Sequence, residues 1–327
     1  LGICGTDRDI LASRSPWVAE GTERLILGHE CLARITQVGA GVDPRRLGTL
    51  VVPVVRRALD PSVERPDLSP PGTYLERGIY RADGFGVSRW LDRPEYLLPV
   101  PPGLESLAVF AEPQSIAEKG IHEAEALQRG RAPRQAYELV PPRVLVTGQG
   151  PIAFAAVIAA RARGWSTTMI GRDGPSSSRS RLAIDLGATL AHWDELPEPD
   201  GSWDESVEES GYDLILECTG SDEAMVRAAA RLRALGILVW LGAERTPVPR
   251  SLPWSALMRD AILRNHVMVG VVNSALRDFE AAFRNLDWYR GQALGTERLI
   301  THRIGPAEAL DHLHGRPNGA IKSVIVF

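Results

Sequence analysis

Residues 144–153, Val-Leu-Val-Thr-Gly-Gln-Gly-Pro-Ile-Ala, constrain this chain more than any other stretch. A short apolar run of β-type residues passes into Gly148-Gln149-Gly150, and small apolar residues continue over 152–162 at helical length. A strand, a glycine turn and a helix in that order make a G-x-G-x-x-(G/A) pattern informative as a dinucleotide site. Gly148 would allow the tight turn, Gly150 the close approach of backbone to a pyrophosphate, and Ala153 the packing of helix on strand. The helix opening at Pro151 and Ile152 would offer unpaired N–H groups and partial positive charge to phosphates. A plain strand–turn–helix is the alternative.

A length of 327 residues suggests two domains, each able to bury its own core. A formal net charge of −4 gives no nucleic-acid footprint. Nearly all basic residues are arginine; the lysines are Lys119 and Lys322. The longest apolar runs, such as 152–160, fall well short of a membrane span, and no signal-peptide pattern opens the chain. Three cysteines make no disulfide framework and suggest a reducing, cytoplasmic setting. Leu1-Gly2-Ile3-Cys4 looks like the middle of a strand, which leads us to expect a further N-terminal segment in the full protein.

Two glycine-flanked segments carry candidate metal ligands. Gly2-Ile3-Cys4-Gly5-Thr6-Asp7 is followed, after a polar loop, by Leu25-Ile26-Leu27-Gly28-His29-Glu30. Thiolate, imidazole and carboxylate together suit zinc. Taken singly, Cys4 reads more readily as a small buried hydrophobe and His29 as a hydrogen-bonded core residue. Their pairing at the ends of two strand-like segments favours ligands.

These two segments resemble the medium-chain zinc-dependent alcohol dehydrogenases, and specifically the archaeal-type glucose dehydrogenases. Arg65-Pro66-Asp67, Glu76-Arg77-Gly78-Ile79, Asp83-Gly84-Phe85, Ala111-Glu112-Pro113, Glu118-Lys119, Gly270-Val271-Val272-Asn273 and Ile321-Lys322 extend the likeness over essentially the whole chain. The resemblance implies an α/β protein, with a mostly β, GroES-like catalytic domain and a Rossmann domain built on a doubly wound parallel sheet. It implies that Cys4 and His29 hold a catalytic zinc, with Glu30 and Glu112 as the carboxylates that ligate it or its water. Thr6 would relay the proton, Asp7 would orient the ligands, and Glu76 and Asn273 would line the sugar and nicotinamide pocket. Without the family, Glu76 reads as a solvated loop carboxylate. Two departures stand out. Residues 57–80, where many relatives place four cysteines around a structural zinc, contain none, so one zinc is expected, with Asp60, Glu64 and Asp67 as surface charges. Leu263 stands where some sugar-oxidising relatives carry a substrate-binding histidine.

Cofactor choice is decided at the tip of the second nucleotide-binding strand, expected over 166–170. An acidic residue there serves the ribose hydroxyls of NAD, whereas arginine accommodates the 2′-phosphate of NADP. The tip reads Gly171-Arg172-Asp173, followed by a Ser/Arg-rich loop to Arg181. Arg172 favours NADP and Asp173 conflicts with it; a merely solvated Ser/Arg loop is the third option. A helix over 181–186 ends at Gly187. A strand over 212–218 leads to Thr219, where the family lays its chain against the nicotinamide ribose. Cys218 is expected inside that strand's core. Helix 224–232 and strands 236–242 and 267–272 complete a parallel sheet. The expected division is 1–140 catalytic, 141–272 Rossmann, and 273–327 returning to the catalytic domain. The implied reaction is oxidation of an aldose or polyol by NADP, in a homodimer or homotetramer. Another secondary alcohol, such as a cyclitol or amino-sugar intermediate, is the alternative. A silent nucleotide-binding protein, or a zinc-free quinone reductase of the same superfamily, would lack Cys4 and His29.

Overall fold

The structure, a computed structural model, describes residues 1–13, 17–195, 206–243 and 251–327. The chain divides into two compact units, one of residues 1–115 with 273–327 and one of residues 116–272. This division and the sequence-based one differ over residues 116–140. The helix Ala111–Arg131 carries the chain from the first unit into the second, so most of it belongs to the second.

The second unit is a six-stranded, fully parallel sheet. Its strands are Arg143–Thr147, Ser166–Gly171, Thr189–His192, Tyr212–Glu217, Leu232–Trp240 and Val267–Gly270. In space they run third, second, first, fourth, fifth, sixth, the doubly wound order that reverses beside the first strand. Val144, Leu145 and Val146 are fully buried, as are Leu214, Ile215 and Leu216 beside them. Such continuous apolar runs belong to strands covered on both faces. Helix Pro151–Ala162 is buried without interruption from Ala153 to Ala160, because small apolar residues surround it on every side. Gly148 has φ +90°, and a Cβ there would lie 3.0 Å from Thr219 Cγ2, so the turn needs glycine on both counts.

The first unit is strand-rich. One antiparallel sheet joins Ala33–Arg34, Leu50–Pro53 and Leu97–Pro99; another sheet joins Arg56–Ala58, Tyr74–Arg77 and Arg81–Ala82. The C-terminal strand Ser323–Ile325 pairs in parallel with His302–Ile304, and Val324 forms a bridge with Gly2. Gly2 also bridges Glu30, so the ends of the chain and the His29 segment are tied together.

Several boundaries differ from expectation. Residues 5–13 are a helix rather than a loop; Asp7 sits in its first turn, where the helix dipole favours an acid, and Ile10 is buried. Helix Ser178–Asp185 begins three residues early, because Ser177 caps it by accepting from the Ser180 amide at 3.0 Å. Helix Asp222–Ala229 is shorter, and Leu232 already belongs to the next strand. Cys218 lies just past its strand and is half-buried. In the acidic stretch 193–211, Trp193–Glu195 and Val207–Ser210 are short helices and 196–205 lie outside the described residues. Among the described residues no helix is long and apolar enough to cross a membrane.

Candidate functional site

The candidate metal centre grows from two segments near the start of the first unit's chain. Cys4 precedes helix Gly5–Ser13, and His29 and Glu30 follow on the segment bridged to Gly2. Their ligand atoms all lie within 4.8 Å of one another, the single such grouping of three among the described residues. His29 and Glu30 are buried, whereas Cys4 and Thr6 are partly exposed. A catalytic zinc needs such an arrangement, closed on the protein side and open on one face. Cys4 Sγ lies 3.8 Å from Thr6 Oγ1, so the expected proton-relay hydroxyl stands beside the thiol.

Asp7 links the two ligand segments. Its carboxylate accepts from the Cys4 amide at 2.9 Å and the Gly28 amide at 3.2 Å, and it faces His29 Nδ1 at 3.5 Å. That ring nitrogen is buried without a hydrogen-bond partner at normal distance. A carboxylate behind a histidine fixes the ring and leaves its other nitrogen to ligate. Burial alone would raise the Asp7 carboxyl, but His29, the Cys4 amide and Lys322 together hold it below its ordinary value. Burial would likewise lower His29, yet Asp7 and Cys4 hold it well above the usual imidazole range. Burial, reinforced by the neighbouring Glu30, pushes Glu112 up to about 7 against the pull of His29 and Lys322. Cys4, His29 and Glu30 thus offer a thiol, an imidazole and a carboxylate together, a donor set that fits zinc, whereas Glu112, the fourth expected ligand, lies outside that grouping.

One member was missed by pattern reasoning. Lys322, wholly buried, donates to both oxygens of Glu30 at 2.5 and 2.7 Å and to the Ile3 carbonyl at 3.3 Å. Glu30 is therefore ion-paired at the site's back wall. The signal was present: in a chain whose basic residues are almost all arginine, both lysines are buried.

Glu76 and Asn273 also come together, and the reading of Glu76 as a solvated loop carboxylate is corrected. Glu76 is buried, and its Oε1 accepts from Arg56 Nε and Nη2 at 3.0 and 2.9 Å and from Asn273 Nδ2 at 2.9 Å. Asn273 holds a positive φ of 64°, and its Oδ1 accepts from the Ser274 amide. The cysteine-free lobe is knitted by arginine instead. Arg56 stacks 3.8 Å above the Tyr74 ring, Arg57 and Arg77 reach Asp92, and Arg65 grips Asp67 with its fork. Asp67 is accordingly buried rather than a surface charge; Asp60 and Glu64 are exposed. These residues do not fit a closed four-ligand zinc site.

The nucleotide-side residues gather in the second unit, apart from Asn273, which belongs to the first. Gly148, Gly150, Pro151 and Ile152 form the turn and helix start, and Thr219 packs on Gly148. Buried Glu217, unremarked in the sequence, fixes this corner: it accepts from Thr147 Oγ1 at 3.0 Å, from the Thr219 amide at 2.8 Å and hydroxyl, and from the Gly220 amide at 3.1 Å. Arg172 follows the second strand and is exposed. Leu263 ends helix Trp254–Leu263 and is 54% exposed, an apolar side chain left in solvent.

Comparison with known proteins agrees with this construction. Residues 105–327 match the sequence profile of the family described as glucose dehydrogenase C-terminus. The chain is 33% identical to glucose 1-dehydrogenase of Thermoproteus tenax, over 99% of this chain and 89% of that one. It is 34% identical to glucose 1-dehydrogenase 1 of Caldivirga maquilingensis, over 93% and 82%. In fold it matches the Haloferax mediterranei glucose dehydrogenase solved with NADP, Zn and gluconolactone, with TM-score 0.81 and 25% identity over 100% of this chain and 90% of that one. Galactitol-1-phosphate dehydrogenase from Escherichia coli shares the fold at TM-score 0.75 and 23% identity, over 99% and 90%. With a dinucleotide-type sheet, a zinc-competent centre and relatives spanning nearly its whole length, the chain belongs to the glucose dehydrogenase family of the zinc-binding medium-chain dehydrogenases.

Proposed function

We propose that this protein oxidises an aldose at C1 to its lactone, with NADP⁺ as hydride acceptor and a single catalytic zinc. The observation that carries the reading is the convergence of Cys4, His29 and Glu30 beside the Thr6 hydroxyl. Cys4 and His29 hold the ion, and Glu30 or Glu112 completes its shell. Bound there, zinc would supply Lewis acidity toward the reacting hydroxyl, and a nicotinamide would supply the hydride acceptor. Thr6 takes the proton from that hydroxyl and passes it toward solvent on the exposed face. Glu112, whose carboxyl burial pushes up to about 7, is the carboxylate placed to hold the water of that shell. Glu76 and Asn273, fixed by Arg56, hydrogen-bond sugar hydroxyls. Gly148, Gly150, Pro151 and Ile152 receive the pyrophosphate, Thr219 the nicotinamide ribose, and Arg172 the 2′-phosphate. The absence of a four-ligand set in the arginine-knitted lobe supports one zinc rather than two. A cytoplasmic homodimer or homotetramer is the working assembly.

A second reading, oxidation of another secondary alcohol such as a cyclitol or amino-sugar intermediate, is favoured by Leu263, which cannot hydrogen-bond a sugar. The test is nicotinamide reduction by the zinc-loaded protein across aldoses and polyols, with NADP⁺ and then NAD⁺. Activity on an aldose with NADP⁺ supports the first reading. Silence across the panel, in protein that binds zinc and NADPH, moves the assignment to the second. Cys4→Ser should lower zinc occupancy and turnover by two orders of magnitude or roughly that, with NADPH binding intact. An active, zinc-replete variant would sink the ligand assignment.

A further inference from the structure

The second strand's tip is tied to the glycine turn by Gln149, the residue the G-x-G pattern leaves free. Its side chain lies across Gly171, where any Cβ would collide with the Gln149 amide. Gln149 Oε1 accepts from the Asp173 amide at 3.0 Å, and Nε2 donates to buried Ser180 Oγ at 3.2 Å. Asp173 is thereby held at the tip, where an acidic residue ordinarily serves the ribose hydroxyls of NAD.

Its carboxylate is already engaged. Arg179 Nε donates to Oδ2 at 2.6 Å and Nη2 to Oδ1 at 2.7 Å, a two-pronged pair with side chains only 19% and 20% exposed. Ser177 Oγ donates to Oδ2 at 3.3 Å, and Arg179 Nη1 reaches the Gln149 carbonyl at 3.4 Å. Fork-on-carboxylate pairs of this kind are among the stronger and geometrically most specific ion pairs. With Asp173 neutralised, the exposed Arg172 and Arg181 dominate the tip and give it net positive charge.

We infer that Arg179 is a specificity-determining residue that acts by latching Asp173. Latched, Asp173 neither accepts from a ribose 2′-hydroxyl nor repels a 2′-phosphate; released, it does both. The inference rests on the reading that the protein prefers NADP.

Dissociation constants for NADPH and NADH, from fluorescence of the bound nicotinamide without turnover, test it. Arg179→Ala should weaken NADPH binding by about tenfold or more, because the released Asp173 carboxylate then faces the like-charged 2′-phosphate, while NADH binds as well or better. Adding Asp173→Asn to that variant should restore NADPH binding to near the wild-type value. A double variant as weak as the single means Arg179 grips the phosphate itself, and overturns the latch. If Arg179→Ala does not fold, Asp173→Asn alone decides: unchanged NADH binding supports the latch, and weakened NADH binding overturns it. A wild type that prefers NADH overturns the NADP reading and the latch together. A wild type that prefers NADPH, with a ratio Arg179→Ala leaves unmoved, overturns the latch alone.

Discussion

The metal centre and the nucleotide tip are both networks of charged groups, assembled over different ranges of chain. Glu30 and Lys322 stand 292 positions apart and are wholly buried. Gln149 and Ser180, the outer members of the tip network, are 31 positions apart, and its ion pair is about one-fifth exposed. Distance along the chain governs how readily each can be read. Burial governs what each costs when broken: a charge stranded in the interior is penalised heavily, whereas one at a loop recovers solvent.

Lys322→Met breaks the comparison most sharply. It leaves the Glu30 carboxylate buried without its counter-ion, at an expected loss of about 3–5 kcal/mol in urea unfolding of the metal-free protein. Adding Glu30→Gln should return most of that loss. A loss under about 1 kcal/mol in the single variant would mean Glu30 is not stranded, and that burial does not set the scale of the difference.

Asp7→Asn probes the same centre more gently. The side chain keeps its shape, but the charge behind His29 is gone, and its one remaining oxygen can accept from only one of the Cys4 and Gly28 amides, which Asp7 receives on separate oxygens. Zinc affinity should fall about 10–100-fold, the usual effect of removing the group that orients a ligand. Competition with a chromogenic chelator measures this. Unchanged affinity would mean Asp7 serves only to join the two backbone segments.

Gly148→Ala tests the local region. A φ of +90° and a 3.0 Å approach to Thr219 should together cost about 1–2 kcal/mol of stability. NADPH binding should weaken with it while zinc content stays at wild-type level. Parallel loss of zinc would show that the two regions are not energetically separate.

The fold's second unit was legible because its signals are short-ranged. Apolar strand runs, the Gly148 turn and the small-residue helix after it recur within a few dozen residues, and the sheet follows. Boundaries moved where side chains cap or extend elements, as Ser177 does for its helix and Asp7 for the helix at 5–13. The candidate ligands Cys4, His29 and Glu30 were legible as residue types in glycine-flanked segments. Their convergence on one ion was expected from their pairing and from the family resemblance rather than from a spacing rule, since none links position 4 to position 29. Glu76 misled outside its family context because glutamate is mostly exposed in general, whereas here Arg56 and Asn273 supply the donors that permit burial.

By itself the sequence determined what repeats locally: the parallel-sheet unit, the nucleotide turn, and a thiol and an imidazole suited to zinc. Backbone hydrogen bonding and apolar periodicity are properties of neighbouring residues, so they leave a mark in order and spacing. The tertiary structure alone decided which charges meet. It set Lys322 against Glu30, Asp7 between Cys4 and His29, and Arg179 on Asp173. A buried ion pair exists only where folding brings two groups within about 3 Å and excludes water from both, and nothing in the spacing of residues 30 and 322 carries that information.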